Sequence, residues 1–260
     1  MSQGKFLQNR IAIVTGGTSG IGKAIALALA QRGADVAIGS RSASTSSCQG
    51  EIESLGVKAL AMNLDVSSTD SVRAFYDATI KAFQKVDILV NAAGIAYEHQ
   101  MCNHPDEEWY RTMDVNLNGI YRTTKLCFPG MIERKWGRII NIASTSASMG
   151  APLHAAYCTS KAAILGLTRC VALEGAAHGV SCNSISPGWV ETKLGQGMIA
   201  RLAKIEGRTA AEYLENIKQS YPQNRIIQPP EIGALAAFLC RDEAFGITME
   251  DITVAAGSLW

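Results

Sequence analysis

The 260-residue chain carries neither a disulfide framework nor a metal-binding pattern. Its seven cysteines, at 48, 102, 127, 158, 170, 182 and 240, form no C-x-x-C pair, and their number is odd. They are expected to be reduced, mostly buried thiols in a cytoplasmic protein, and the polar start of the chain shows no secretion-type leader. Only four histidines occur, and His99 and His104 share a segment without metal-ligand spacing, so no metal is expected. No apolar run approaches the ~18 residues of a membrane span. An excess of either charge is also missing: 24 Lys and Arg against 23 Asp and Glu leave +1. That balance excludes a phosphate-coating surface of the nucleic-acid-binding kind, while allowing one or two cations set against a small anion. Repeats, Gly/Ser linkers and composition breaks are lacking too. With 47% hydrophobic and 18% charged residues, a single domain spanning 1–260 is expected.

What is present is alternation. Short β-branched or aliphatic runs at 10–15, 35–39, 58–64, 87–91, 137–142, 180–185 and 251–254 are separated by helix-spaced stretches at 21–32, 44–55, 68–83, 106–134, 154–177 and 230–241. Ser67 and Ser68 read as an N-cap region, and Pro229-Pro230 suits a helix's first turn. Such alternation predicts an α/β fold, a doubly wound parallel sheet of about seven strands with helices on both faces. One stretch breaks the rhythm. About forty residues follow Ile185 without a strand, and the spacing of Leu194, Met198, Ile199, Leu202, Tyr213, Leu214 and Ile217 predicts two small helices there. Excursions of this length are usually functional, and 189–225 is expected to act as a substrate lid.

The first run leads through Thr15-Gly16-Gly17-Thr18-Ser19-Gly20-Ile21-Gly22 directly into a helix. Glycines at 16, 20 and 22 permit a tight turn and close approach of the backbone to a pyrophosphate, and the helix start adds its positive pole. A Gly-rich turn alone is weak evidence; its place between first strand and first helix gives it weight. The second run ends in Gly39-Ser40-Arg41, where a carboxylate would grip ribose hydroxyls and repel a 2′-phosphate. Arg41 can instead pair with that phosphate, with Ser40 as a donor, so NADP(H) is expected over NAD(H). A solvated loop charge is the alternative reading of Arg41.

Tyr-x-x-x-Lys occurs twice, as Tyr121…Lys125 and Tyr157…Lys161, and on a helix both pairs share a face. Context separates them. Tyr157 follows Ser144, at the end of a strand, by thirteen residues, whereas the matching position before Tyr121 is Glu108 inside a helix. The ordered set formed by the glycine loop, Asn91-Ala92-Ala93-Gly94, Asn116, Ser144, Tyr157, Lys161 and Pro187-Gly188 resembles the short-chain dehydrogenase/reductase superfamily over essentially the whole chain.

The resemblance implies a Rossmann-like domain with catalysis at the carboxyl ends of the strands. Tyr157 would be the general acid for carbonyl reduction and the base for alcohol oxidation. Lys161 would favour its phenolate, whose reference pKa is about 10, and hold the nicotinamide ribose. Ser144 would hydrogen-bond the substrate oxygen, and Asn116 would hold a water linking Lys161 to solvent. Asp65-Val66 would meet the adenine, Asn91 and Gly94 would stabilise the sheet and border the cofactor with Ala92, a purely structural role being the alternative for both, and Pro187, Gly188, Val190 and Thr192 would line the nicotinamide. Val254-Ala-Ala-Gly257 departs from the family's Asp-Gly-Gly, a change bearing on subunit contacts. A homotetramer or homodimer is implied, with 106–134 and 154–177 at its interfaces.

The substrate pocket is expected from 95–104, 145–154 and the lid. Trp189 is a candidate wall and His154 a candidate donor. Gln196 is similar in position to a lid glutamine of 3-hydroxybutyrate dehydrogenases, but His154 and Ala96 replace a lysine and a second glutamine there. Tyr97, His99, Arg201 and Lys204 remain for anion recognition. The leading expectation is an NADP(H)-dependent carbonyl reductase or alcohol dehydrogenase. A hydroxyacid or 3-oxoacyl oxidoreductase and a non-catalytic dinucleotide sensor are the alternatives.

Overall fold

The computed structural model describes residues 4–258. Within them the apolar runs form seven strands: β1 (Ile11–Thr15), β2 (Asp35–Ser40), β3 (Ala59–Asn63), β4 (Ile88–Asn91), β5 (Gly137–Ile142), β6 (Val180–Pro187) and β7 (Asp251–Val254). They make one parallel sheet in the order β3-β2-β1-β4-β5-β6-β7. Successive side chains point to opposite faces, so Ala12 and Val14 of β1 enter one core while Ile13 enters the other. Burial on both faces is why these strands read as continuous apolar runs. β6 runs two residues past its expected end because Ser186 and Pro187 pair with Thr253 and Val254.

The helices are α1 (Gly20–Gln31), α2 (Cys48–Glu53), α3 (Thr69–Phe83), α4 (Asp106–Met113), α5 (Gly119–Glu133), α6 (Ala155–Ala176), α7 (Lys193–Ile205), α8 (Ala210–Ser220) and α9 (Pro229–Leu239). Ser68 caps α3 by accepting from the Ser71 amide, and two prolines open α9. Two expectations need correction. The helix foreseen at 44–55 is only α2 preceded by a 3₁₀ turn, because serine side chains compete for backbone groups: the Ser46 hydroxyl accepts from the Cys48 amide at 3.2 Å. The long helix at 106–134 is divided by a π turn, Asp114–Asn118, which joins α4 to α5. The two small helices foreseen after β6 are α7 and α8.

Candidate active site

The strand order reverses between β1 and β4, and there the sheet opens a crevice at the carboxyl ends of its strands. The Thr15 hydroxyl ties the two ends together, accepting from the amides of Ala92 and Ala93 at 3.1 and 3.2 Å. Gly16 has φ +67°, and a Cβ on it would lie 3.0 Å from Ala92 and Ala93. A Cβ on Gly22 would lie 2.3 Å from the Gly16 carbonyl oxygen, so the loop can fold back on its helix only with glycine there. Ser19 precedes α1 in extended conformation and makes no side-chain cap, leaving the first amides of the helix without a side-chain partner. Ser19, Gly20, Ile21 and Gly22 line the crevice. An uncapped helix start behind a glycine cradle fits a pyrophosphate.

Away from β4, this part of the crevice, about 240 Å³, is walled by Gly39, Ser40, Arg41, Leu64, Asp65 and Val66. Thr18 does not line it; its hydroxyl donates to Ser40 Oγ at 2.8 Å, fixing the acceptor end of β2. The Asp65 carboxyl is held below its ordinary range by the Ser67 hydroxyl and amide, and the guanidinium groups of Arg111 and Arg41 act in the same direction. Arg111, on α4, is a wall residue that the sequence reading missed. Its signal was its position four residues before Val115, another wall residue. Among the described residues neither Arg41 nor Arg111 has an ion-pair partner in contact.

Toward β5 the crevice opens into a second cavity of about 430 Å³, with Ile21, Ala92, Gly94, Thr192 and Leu194 lining both. Ser144, Tyr157 and Lys161 meet there. Ser144 leaves the end of β5, and its Oγ accepts from the Ser146 amide at 3.1 Å and hydrogen-bonds Tyr157. Tyr157 and Lys161 sit one turn apart on α6, with Nζ 5.6 Å from the phenol ring centre. Lys161 Nζ donates to the Ile142 carbonyl at 2.7 Å. Burial brings the Lys161 pKa down to about 8. Burial raises that of Tyr157, and the Ser144 bond pulls against the rise. The other pair, Tyr121 and Lys125, lies on the outer surface of α5, where Lys125 donates to the phenol at 3.3 Å.

For four residues the structure specifies what the side chain touches. Asn116 is fully buried in the π turn; its amide oxygen accepts from the Ile95 amide, and its nitrogen donates to the Ile95 carbonyl and to Ser160 Oγ. Its side chain therefore braces the chain after β4, at Ile95, and helix α6 beside Lys161. Asn91 does not border the crevice: it donates to Asn141 at 2.9 Å and accepts from Thr123 at 2.7 Å, locking β4 to β5 and α5. Gln196 faces away from the catalytic cavity into a groove beside α1 and α9. Helical phase is the reason, since Leu194 and Met198 of α7 face the cavity and Gln196 lies midway between them on the opposite side. His154 lines the cavity with its ring, but Nδ1 bonds the Pro152 carbonyl at 2.8 Å and Nε2 is buried toward Glu98. Trp189 is a wall, together with Pro187, Gly188, Val190 and Thr192. Met149 and Tyr221 are walls from the expected segments 145–154 and 189–225 that had not been singled out; Tyr221 continues the apolar spacing of Tyr213 and Ile217 and accepts from the Trp189 amide at 3.0 Å.

Residues 16–258 match a family model described as enoyl-(acyl carrier protein) reductase. Over 251 residues the chain is 38% identical to the 3-oxoacyl-(acyl-carrier-protein) reductase FabG of Vibrio cholerae, covering 96% of this chain and 98% of that one. It is 36% identical over 241 residues to the D-beta-hydroxybutyrate dehydrogenase of Cupriavidus necator, covering 92% and 93%. A crystal structure of an actinorhodin polyketide ketoreductase variant with NADPH superposes with a TM-score of 0.91 at 34% identity, over 95% of this chain and 96% of that one.

Proposed function

Because the chain belongs to the short-chain dehydrogenase/reductase superfamily, whose members are nicotinamide-dependent oxidoreductases of C=O and CH–OH groups, we propose that it reduces an uncharged carbonyl substrate with NADPH. The observation carrying this reading is one continuous crevice with a glycine cradle and Arg41 at one end and Ser144, Tyr157 and Lys161 at the other. NADPH supplies the hydride when bound. Gly16 to Gly22 and the start of α1 receive its pyrophosphate, and Arg41 with Ser40 receives the 2′-phosphate. Asp65 and Val66 border the adenine. Gly188, Val190 and Thr192 hold the nicotinamide end.

Tyr157 donates its proton to the carbonyl oxygen, and Ser144 hydrogen-bonds the same oxygen as negative charge develops. Reduction starts from the neutral phenol of Tyr157, the form that burial favours. Lys161, anchored through Ile142, stabilises the phenolate left behind and has protons remaining for the ribose. Asn116 is a positioning residue, setting Ile95 and α6 around that lysine.

The substrate cavity favours neutral carbonyls, including 3-oxoacyl thioesters, over free oxoacids. Met149, Leu194, Met198 and Trp189 give it apolar walls, and Lys161 is the one lysine or arginine among its lining residues. Residues 189–225 act as the lid, with α7 supplying Leu194 and Met198. The enzyme works in the cytoplasm with its seven free thiols reduced, as a homotetramer or homodimer joined through α4, α5 and α6. Tyr157→Phe is expected to lower turnover by roughly 10²- to 10⁴-fold while NADPH still binds, read by NADPH oxidation and by binding fluorescence. Unchanged turnover would overturn the assignment.

A further inference from the structure

Among the described residues, one ion pair joins α7 of the lid to the loop after β4. Arg201, on α7, makes two bonds to Glu98, on the loop after β4: Nε to Oε2 at 2.5 Å and Nη2 to Oε1 at 3.0 Å. The Glu98 side chain is only 3% exposed. Leu194, Met198 and Arg201 stand in one row along α7, and the first two line the cavity, so the guanidinium is the next group in that row. On the other side of Glu98 stands His154, itself a cavity wall. Its Nδ1 faces the Pro152 carbonyl and therefore carries a proton, while Nε2 lies 3.9 Å from Glu98 Oε1 with no partner. The loop bearing Glu98 is stitched to the segment bearing His154, since the His99 amide donates to the Leu153 carbonyl at 2.9 Å. Loop, segment and lid thus meet at Glu98.

We propose that Glu98 is a specificity-determining residue: by engaging the Nε–Nη2 edge of Arg201 it neutralises the lid cation that follows Leu194 and Met198 along α7 and reserves the cavity for uncharged carbonyl compounds. This inference rests on the proposed carbonyl reduction and adds to it the reason for rejecting acids. A substrate carboxylate meets a guanidinium already paired with a carboxylate, and the Glu98 charge repels it. Removing the Glu98 charge while keeping its shape releases Arg201 to bind that carboxylate.

The test compares acetoacetate with ethyl acetoacetate, a short oxoacid and its neutral ester, in wild type and in Glu98→Gln. The ratio of kcat/KM for acid over ester is expected to rise about tenfold in Glu98→Gln, chiefly through KM of the acid; tenfold corresponds to about 1.4 kcal/mol. Glu98→Asp, which keeps the charge, should hold the wild-type ratio. Adding Arg201→Gln to Glu98→Gln should abolish the gain, and Arg201→Gln alone should give none. Calorimetric titration of both compounds into the NADP⁺-loaded proteins, which hold no hydride to transfer, reads the same preference without turnover. A wild type that reduces neither compound counts against the proposed function; titration still decides the role of Glu98. No gain of acid binding in folded Glu98→Gln, a gain that survives in the double variant, or a gain in Arg201→Gln alone would overturn the inference.

Discussion

Arg41 stands where the proposed choice of NADPH over NADH would be made. It is exposed at the end of β2, has no ion-pair partner in contact among the described residues, and borders the crevice with Ser40. Its position was legible from sequence because it follows β2 at a fixed distance from the glycine loop. Arg41→Ala is expected to weaken NADPH binding roughly 10- to 100-fold and NADH binding hardly at all, measured by titration with each dinucleotide. Equal losses would remove Arg41 as selector and leave Arg111, on the opposite wall, as the cation to examine. Tyr157 and Tyr121 show how order in sequence outweighs motif: both have a lysine one turn on, but only Tyr157 follows a strand ending in serine. Gln196 shows the reverse. Resemblance to a lid glutamine of 3-hydroxybutyrate dehydrogenases suggested the pocket, whereas the helical phase set by Leu194 and Met198 turns it outward, and phase depends on where α7 starts.

Among elements, the strands were the most legible, since burial on both faces writes them as unbroken apolar runs. The π turn was not. A π turn uses the same residue types as the α-helix around it and so leaves no separate mark in the sequence, yet it is this turn that buries Asn116 against Ile95 and Ser160. The loop between β1 and α1 is the most exacting connection in the fold, because Gly22 packs directly on the Gly16 carbonyl. Gly22→Ala would place a methyl 2.3 Å from that oxygen, forcing loop and helix apart. A loss of stability of about 1–3 kcal/mol and of NADPH binding is expected, read by thermal melting and titration. An alanine tolerated in both would mean that the loop relaxes without losing its shape.

At the scale of the whole molecule, the outer faces of α4, α5 and α6 leave large side chains in solvent: Tyr110 and Leu173 are 68% exposed and Tyr121 50%. These helices are the proposed subunit interface, and Leu173→Arg is expected to shift the protein toward smaller species in sedimentation velocity. An unchanged sedimentation profile would remove α6 from that interface. The continuity of the two cavities governs time as well as space. Ile21, Ala92, Gly94, Thr192 and Leu194 belong to both, so whatever lies along the first becomes a wall of the second. The carbonyl compound has no finished seat until the dinucleotide has taken its own. On the proposed function, the expected outcome is ordered binding, dinucleotide first and oxidised dinucleotide released last, read by product-inhibition kinetics.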